Sequence, residues 1–192
     1  MSEDTIRLVN IVSGARTGRS VANWFAVQAT RYGGVELDVI DLTRTWLPDV
    51  TPELIAEDRE QRPRAVCDLA PWLAAADGFV IVTGEHHGSF PALLKNTIDW
   101  FDTEWVNKPV GFISYGGPAQ GLRAVAHLRL VFTCVGAVPV RAGVSLADTH
   151  PACTSRPDSI SSGVDAAVGT MLGELGQWAG ILRQHRATTN DG

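Results

Sequence analysis

The feature that most constrains this chain is the run Gly78-Phe79-Val80-Ile81-Val82-Thr83. The side chains in its middle are all apolar, so neither face of a strand built from it tolerates water. A strand of this kind belongs inside a parallel sheet covered by helices on both sides. Its flanks agree. Residues 64–76 place Val66, Leu69, Trp72 and Leu73 on one helical face, and Pro91 suits the first turn of a helix ending near Phe101.

The same alternation runs along the whole chain. Residues 5–12, 35–42, 108–115 and 137–144 read as four more short strands. Helical spacing covers 21–32, with Val21, Trp24, Phe25, Gln28 and Ala29 in register and Gly33-Gly34 as the stop. Further helices fall at 119–135 and 164–186. Residues 43–63 hold three prolines and form an excursion with at most one helical turn. Residues 148–163 are a Ser- and Pro-rich loop. Five strands separated by helices predict an α/β three-layer sandwich with an open five-stranded parallel sheet and right-handed crossovers. One domain is expected over residues 1–192, with its core at about 5–186 and a fraying tail. Trp24, Trp72 and Trp178 lie on helical faces and are expected in the core, whereas Trp100 and Trp105 suit packing or a site rim equally. Asp41 reads as a solvated strand end or a cap.

Charge and cysteine usage narrow the partners. The net charge is −5, which argues against a broad basic surface for nucleic acid or anionic membrane. No apolar run approaches the length of a membrane span, and the acidic start Met1-Ser2-Glu3-Asp4 is unlike a signal peptide. The three cysteines, Cys67, Cys134 and Cys153, form no Cys-x-x-Cys pair, so reduced thiols and a cytoplasmic setting are expected, with no metal site.

In open parallel sheets ligands bind beyond the carboxyl ends of the strands. Three loops fall there. Residues 13–20, Ser13-Gly14-Ala15-Arg16-Thr17-Gly18-Arg19-Ser20, combine glycines, two arginines and hydroxyls before a helix, which suits a single phosphate. The spacing is neither that of a nucleoside-triphosphate loop nor the dinucleotide glycine pattern. Residues 84–90 open with Gly84-Glu85-His86-His87-Gly88. Neighbouring histidines rarely share one ion without a third ligand, so ligand contact or plain loop polarity is favoured over metal. Ser114-Tyr115-Gly116-Gly117 ends the fourth strand; its glycines let backbone approach a flat ligand, and Tyr115 is placed to stack on or flank a ring.

Together these loops resemble the NADPH-dependent FMN reductase family, which has a flavodoxin-like fold. The resemblance runs from about residue 6 to about 183. It is most specific at Phe90-Pro91-Ala92-Leu93-Leu94-Lys95-Asn96-Thr97-Ile98-Asp99-Trp100, similar to the family's Tyr-Pro-x-x-Leu-Lys-Asn-x-Leu-Asp. Lys108-Pro109-Val110-Gly111-Phe112-Ile113-Ser114-Tyr115-Gly116-Gly117 and Arg16-Thr17-Gly18-Arg19 are further matches. The resemblance implies FMN and NADPH or NADH as cofactors. It places the FMN phosphate at Gly14, Ala15, Arg16, Gly18, Arg19 and Ser20. The ring would lie between Gly84, Glu85, His86, His87, Gly88 on one side and Ser114, Tyr115, Gly116, Gly117 on the other. It also implies a homodimer or homotetramer, with the helix near Pro91 at the contact.

The departures are informative. The family's Gly-Ser-Thr/x-Arg start here reads Ser13-Gly14-Ala15-Arg16, which removes two hydroxyl positions. Each lost charge-assisted bond costs about 1.5–3 kcal/mol. The family's Pro-Glu-Tyr-Asn here reads Gly84-Glu85-His86-His87. His86 and His87 are therefore the catalytic candidates, as proton donors or as positive charge beside a reduced ring. The expected activity is NAD(P)H oxidation through FMN to a small acceptor: a quinone, nitro or azo compound, or free flavin delivered to a flavin-dependent partner enzyme. A flavodoxin-fold protein that has lost redox chemistry and binds another ligand or partner is the alternative. A hydrolase built on Ser13 or Ser89, with His86, His87 or His150 as base and Asp148 as orienter, is a third; no Gly-x-Ser-x-Gly turn accompanies it.

Overall fold

A computed structural model describes residues 5–50, 62–154 and 162–190. Five strands form one sheet: β1 (Ile6–Val12), β2 (Val35–Asp41), β3 (Gly78–Gly84), β4 (Pro109–Tyr115) and β5 (Val138–Leu146). Their order is β2-β1-β3-β4-β5, and every pairing is parallel. All seven residues of β3 and all seven of β4 are buried, as the continuous apolar run demands. β2 and β5 are the edges, and their outward residues are wet.

Among the described residues the helices are α1 (Arg16–Tyr32), α2 (Arg64–Ala74), α3 (Ala92–Trp100), α4 (Leu122–Cys134), α5 (Pro151–Thr154) and α6 (Ser162–Asn190). Strand side chains alternate between two cores. Val9, Ile11, Phe79, Ile81 and Phe112 pack under α2, α3 and α4; Leu8, Val12, Val80, Val82 and Ile113 pack under α1 and α6. This is the expected three-layer sandwich. Among the described residues no helix is long and apolar enough to cross a membrane.

Several boundaries differ from the sequence reading. α1 starts at Arg16, not residue 21, so most of the glycine-punctuated stretch is already helix. Gly18 is the reason: a Cβ there would stand 3.0 Å from the Tyr115 hydroxyl and 3.2 Å from Val12, so the glycine brings the first turn onto the sheet. In sequence it looks like a turn signal. β5 runs to Leu146, two residues beyond the expected end, and α4 starts at Leu122 rather than 119. The short helix α5 interrupts the loop expected over 148–163, whose residues 155–161 lie outside the described set. So do residues 51–61 of the long excursion.

The tryptophans are also redistributed. Trp72 is 48% and Trp178 is 40% exposed, contrary to their expected burial. Each sits one position from the residue that faces the core, Leu73 and Ala179. On a helix one step is about 100°, enough to leave a side chain at the rim. Trp72 instead lies under the Arg7 guanidinium, 5.6 Å from its ring centre. Trp24 is half-buried, edge-on to His150 with centroids 5.7 Å apart. Trp100 and Trp105 are fully packed: the Trp105 ring sits among Phe79, Phe101 and Phe132, and Trp100 Nε1 donates to the Pro48 carbonyl at 2.8 Å.

Candidate active site

Strand order reverses between β1 and β3, so their carboxyl ends open a crevice there. Tyr115, at the end of β4, ties the surrounding loops together. Its side chain lies against Gly14, Gly18 and Gly84 at once. The ring is therefore a buried wedge beneath the loops after β1 and β3, and its face is not open for a ligand to stack on. Burial, then the neighbouring Cys153, pushes its hydroxyl up to about 12.

After β1 the chain divides its polar groups between structure and opening. Ser13 is buried and committed: its N–H donates to the Val82 carbonyl at 3.0 Å and its Oγ to Thr83 Oγ1 at 3.1 Å. Ala15 is the N-cap of α1 and offers no side-chain cap, and the first turn holds no acid. Its amides are thus left for an incoming acceptor. Arg16 is exposed and has no hydrogen-bond or ion-pair partner among the described residues. Arg19, assigned to the same phosphate from sequence, points elsewhere. Its Nε donates to Asp41 Oδ2 at 2.5 Å and its Nη2 to Thr43 Oγ1 at 2.7 Å. Burial would raise the Asp41 carboxyl, but the bonds from Thr43 and Arg19 outweigh it and hold the group below the usual range. Arg16, Arg19, Ser20 and Trp24 line a cleft of about 450 Å³ that reaches Pro151 and Ala152 of α5.

After β3 the chain makes a tight hairpin. His86 N–H donates to the Ser89 carbonyl at 2.7 Å, and Ser89 N–H returns a bond at 3.0 Å. The two residues between them, His87 (φ +50°) and Gly88 (φ +82°), are both left-handed. Such turns match the twist of the chain on either side and favour Asn-Gly, with histidine among the tolerated residues. His86 and His87 are consequently both exposed at the tip. Glu85 Oε1 accepts from Arg123 Nη1 at 2.9 Å, while its Oε2 is buried without a partner.

After β4, Gly116 (φ +103°) and Gly117 (φ +61°) expose their backbone. Gly117 N–H donates to Asp148 Oδ2 at 3.0 Å. Ser114 is buried, and its Oγ donates to the Gln120 carbonyl at 2.7 Å, which removes it from the lining. The loop after β5 is thus a fourth wall of the site. In the sequence Asp148 suits a hydrolase orienter or a loop cap, and nothing there ties it to Gly117. Arg123 and His127, which fasten the β3 hairpin from α4, had no local signal at all; His127 Nδ1 shares a 3.0 Å hydrogen bond with Ser89 Oγ.

The hydrolase arrangement is absent. Ser13 is buried, and Ser89 meets His127, not His86, His87 or His150. His150 Nδ1 accepts from the Ala152 N–H at 3.2 Å, and burial lowers its pKa. Among the described residues no three His, Cys, Asp or Glu side chains cluster as a metal site requires.

These groups fit a flavin mononucleotide. A dianionic phosphate suits an uncapped helix start beside an unpaired arginine, a flat ring suits glycine backbone, and the orphaned Glu85 oxygen is a ready acceptor. Comparison with known proteins agrees. Residues 7–151 match the NADPH-dependent FMN reductase family. The chain belongs to that family. It is 32% identical over 195 residues to an NAD(P)H-dependent FMN reductase of Schizosaccharomyces pombe, covering 94% of this chain and 90% of the relative. It is 24% identical to an FMN-dependent NADPH-azoreductase of Staphylococcus haemolyticus, covering 72% of this chain and 76% of that one. In fold it is similar to FerB, a flavoenzyme NAD(P)H:(acceptor) oxidoreductase of Paracoccus denitrificans, with TM-score 0.74, 19% identity, and coverage of 91% and 97%. The sequence resemblance and the flavodoxin-like sheet are both upheld, and the protein is an oxidoreductase of this FMN reductase family.

Proposed function

We propose that this protein holds FMN across the β1, β3 and β4 loops and oxidises NADPH or NADH to reduce a small aromatic acceptor of the quinone, nitro or azo class. The observation that carries the reading is the unpaired Arg16 at the uncapped start of α1. A cation and open amides at one point are what a phosphate monoester requires. When bound, FMN supplies the hydride chemistry between NAD(P)H and the acceptor.

The chain supplies the rest. Arg16 and the amides of Arg16, Thr17 and Gly18 bind the phosphate. Tyr115 holds the loops at Gly14 and Gly84 at fixed spacing from below. Gly116 and Gly117 let the backbone approach one edge of the ring, and Asp148 keeps that loop in place. His86 and His87, exposed on a tight turn, deliver a proton to the reduced acceptor. The azoreductase relatives support the acceptor class. Homodimer or homotetramer assembly and a cytoplasmic site of action are further parts of this reading; looser FMN binding, with reduced flavin exported to a partner enzyme, is its alternative form.

The test is a visible spectrum followed by FMN titration and anaerobic NADPH. Flavin bands on the purified protein, or saturable binding of added FMN, with bleaching by NADPH and recovery on adding a quinone or azo dye, are expected. A protein that neither binds FMN nor oxidises NADPH would overturn the proposal.

A further inference from the structure

The hairpin that carries His86 and His87 is fastened from outside itself. Arg123 and His127 are four residues apart on α4, so one face of that helix reaches both. Arg123 Nη1 donates to Glu85 Oε1 at 2.9 Å, and His127 Nδ1 shares a 3.0 Å hydrogen bond with Ser89 Oγ. Glu85 precedes the turn and Ser89 closes it, so the two contacts grip its two ends. α4 is in turn seated on β4. Gly121 precedes its first turn at φ +75°, where a Cβ would stand 2.8 Å from the Ser114 Cβ. A continuous set of contacts therefore runs from the end of β4 through α4 to the β3 hairpin.

An ion pair in open water holds little. This one differs, because the Glu85 side chain is only 12% exposed and its second oxygen is buried without a partner. Arg123 is the only cation paired with that carboxylate among the described residues. Without it the charge must find water, and the loop would move with it.

We propose that Arg123 and His127 are positioning residues, which hold the 85–89 hairpin in the geometry that receives the flavin and act on the reaction only through that hairpin. The proposal rests on the FMN reading above.

Hydrogen exchange on the flavin-free protein reads the clamp directly, at the His86 and Ser89 amides that close the turn. FMN affinity, from quenching of flavin fluorescence, reads its consequence. Arg123→Ala and His127→Ala should each lose protection at those amides and weaken FMN binding, Arg123→Ala by about tenfold. Arg123→Lys should recover the protection and most of the affinity. His127→Ala keeps the test open if Arg123→Ala does not fold. Unchanged protection overturns the proposal, as does lost protection with unchanged FMN affinity. A wild-type protein that binds no FMN sinks the flavin reading and the positioning role with it; the flavin-free exchange then still reports whether the clamp exists.

Discussion

The hydroxyl of Tyr115 and the backbone of Gly14 touch so closely that a Cβ on the glycine would stand 1.8 Å from the oxygen. A residue at the end of β4 thus dictates which residue the β1 loop can carry. It also explains the missing hydroxyl at position 14: a serine there has no room. Gly14→Ala should therefore push the loop off Tyr115, destabilise the protein by about 1–3 kcal/mol and impair FMN binding. Adding Tyr115→Phe removes the offending oxygen and should recover part of both losses. Thermal melts and FMN titration of the single and double variants check this; a Gly14→Ala protein that matches wild type in both would show that the contact is not restrictive.

The two arginines of the β1 loop should not behave alike. Arg16 is unpaired, whereas Arg19 is tied to Asp41 and Thr43. Arg16→Ala should weaken FMN binding by more than about tenfold through loss of a charge-assisted contact. Arg19→Ala should cost affinity less and stability more, since it removes the nearer of the two guanidinium groups on Asp41 and leaves only Arg44, at 3.7 Å. Titration and denaturation of both variants decide it. Equal losses of affinity would reassign Arg19 to the phosphate.

His87 occupies a left-handed position that asparagine favours. His87→Asn should accordingly preserve the turn and FMN binding while changing the ratio of quinone to azo-dye reduction rates. Steady-state rates with each acceptor test this. Rates that fall in strict proportion would make His87 a bystander and leave His86 as the proton donor.

Lys108 gives a pH prediction. Its Nζ is buried and donates to the carbonyls of Leu73 and Ala74 at the end of α2, at 2.7 and 2.8 Å. Burial, and then repulsion from Arg186, lowers its pKa to about 8 from the ordinary 10.5. Protonation therefore favours the unfolded chain. The penalty is present below pH 8 and is lost as the pH climbs from about 8 to 10.5, a gain on the order of 3 kcal/mol. Tyr115 and Cys153, whose folded-state values are raised, oppose it at the alkaline end. The contrast with Lys108→Met isolates the effect. Denaturant titrations from pH 7 to 10 should show wild type gaining stability relative to the variant; parallel curves would contradict the assignment.

The sheet was legible in the chain because strand burial is a local property of composition. Phe79-Val80-Ile81-Val82 admits no half-solvated strand, and the helical spacing on either side supplies the two covering layers. Helix starts were less legible. Gly18 has the same letter whether it punctuates a turn or lets a helix lie on a tyrosine, and only the position of Tyr115 distinguishes the two. Trp72 and Trp178 show the same limit on a single helix face, where one step of rotation separates core from rim.

What the sequence by itself determined is the set of local patterns: the strand–helix alternation, the three loops at the carboxyl edge, the motifs that mark the family and the residue types suited to phosphate and flavin. Tertiary structure decided how those residues are spent. It committed Arg19 to Asp41 and left Arg16 open, buried Tyr115 beneath the loops it was expected to line, and brought Asp148, Arg123 and His127 to brace the site. The physical reason is range. Propensity and periodicity act over a few residues, whereas the hydrogen-bonded pairs among these lie 22 to 38 residues apart, Tyr115 is farther still from Gly14, and all meet only after the sheet has folded.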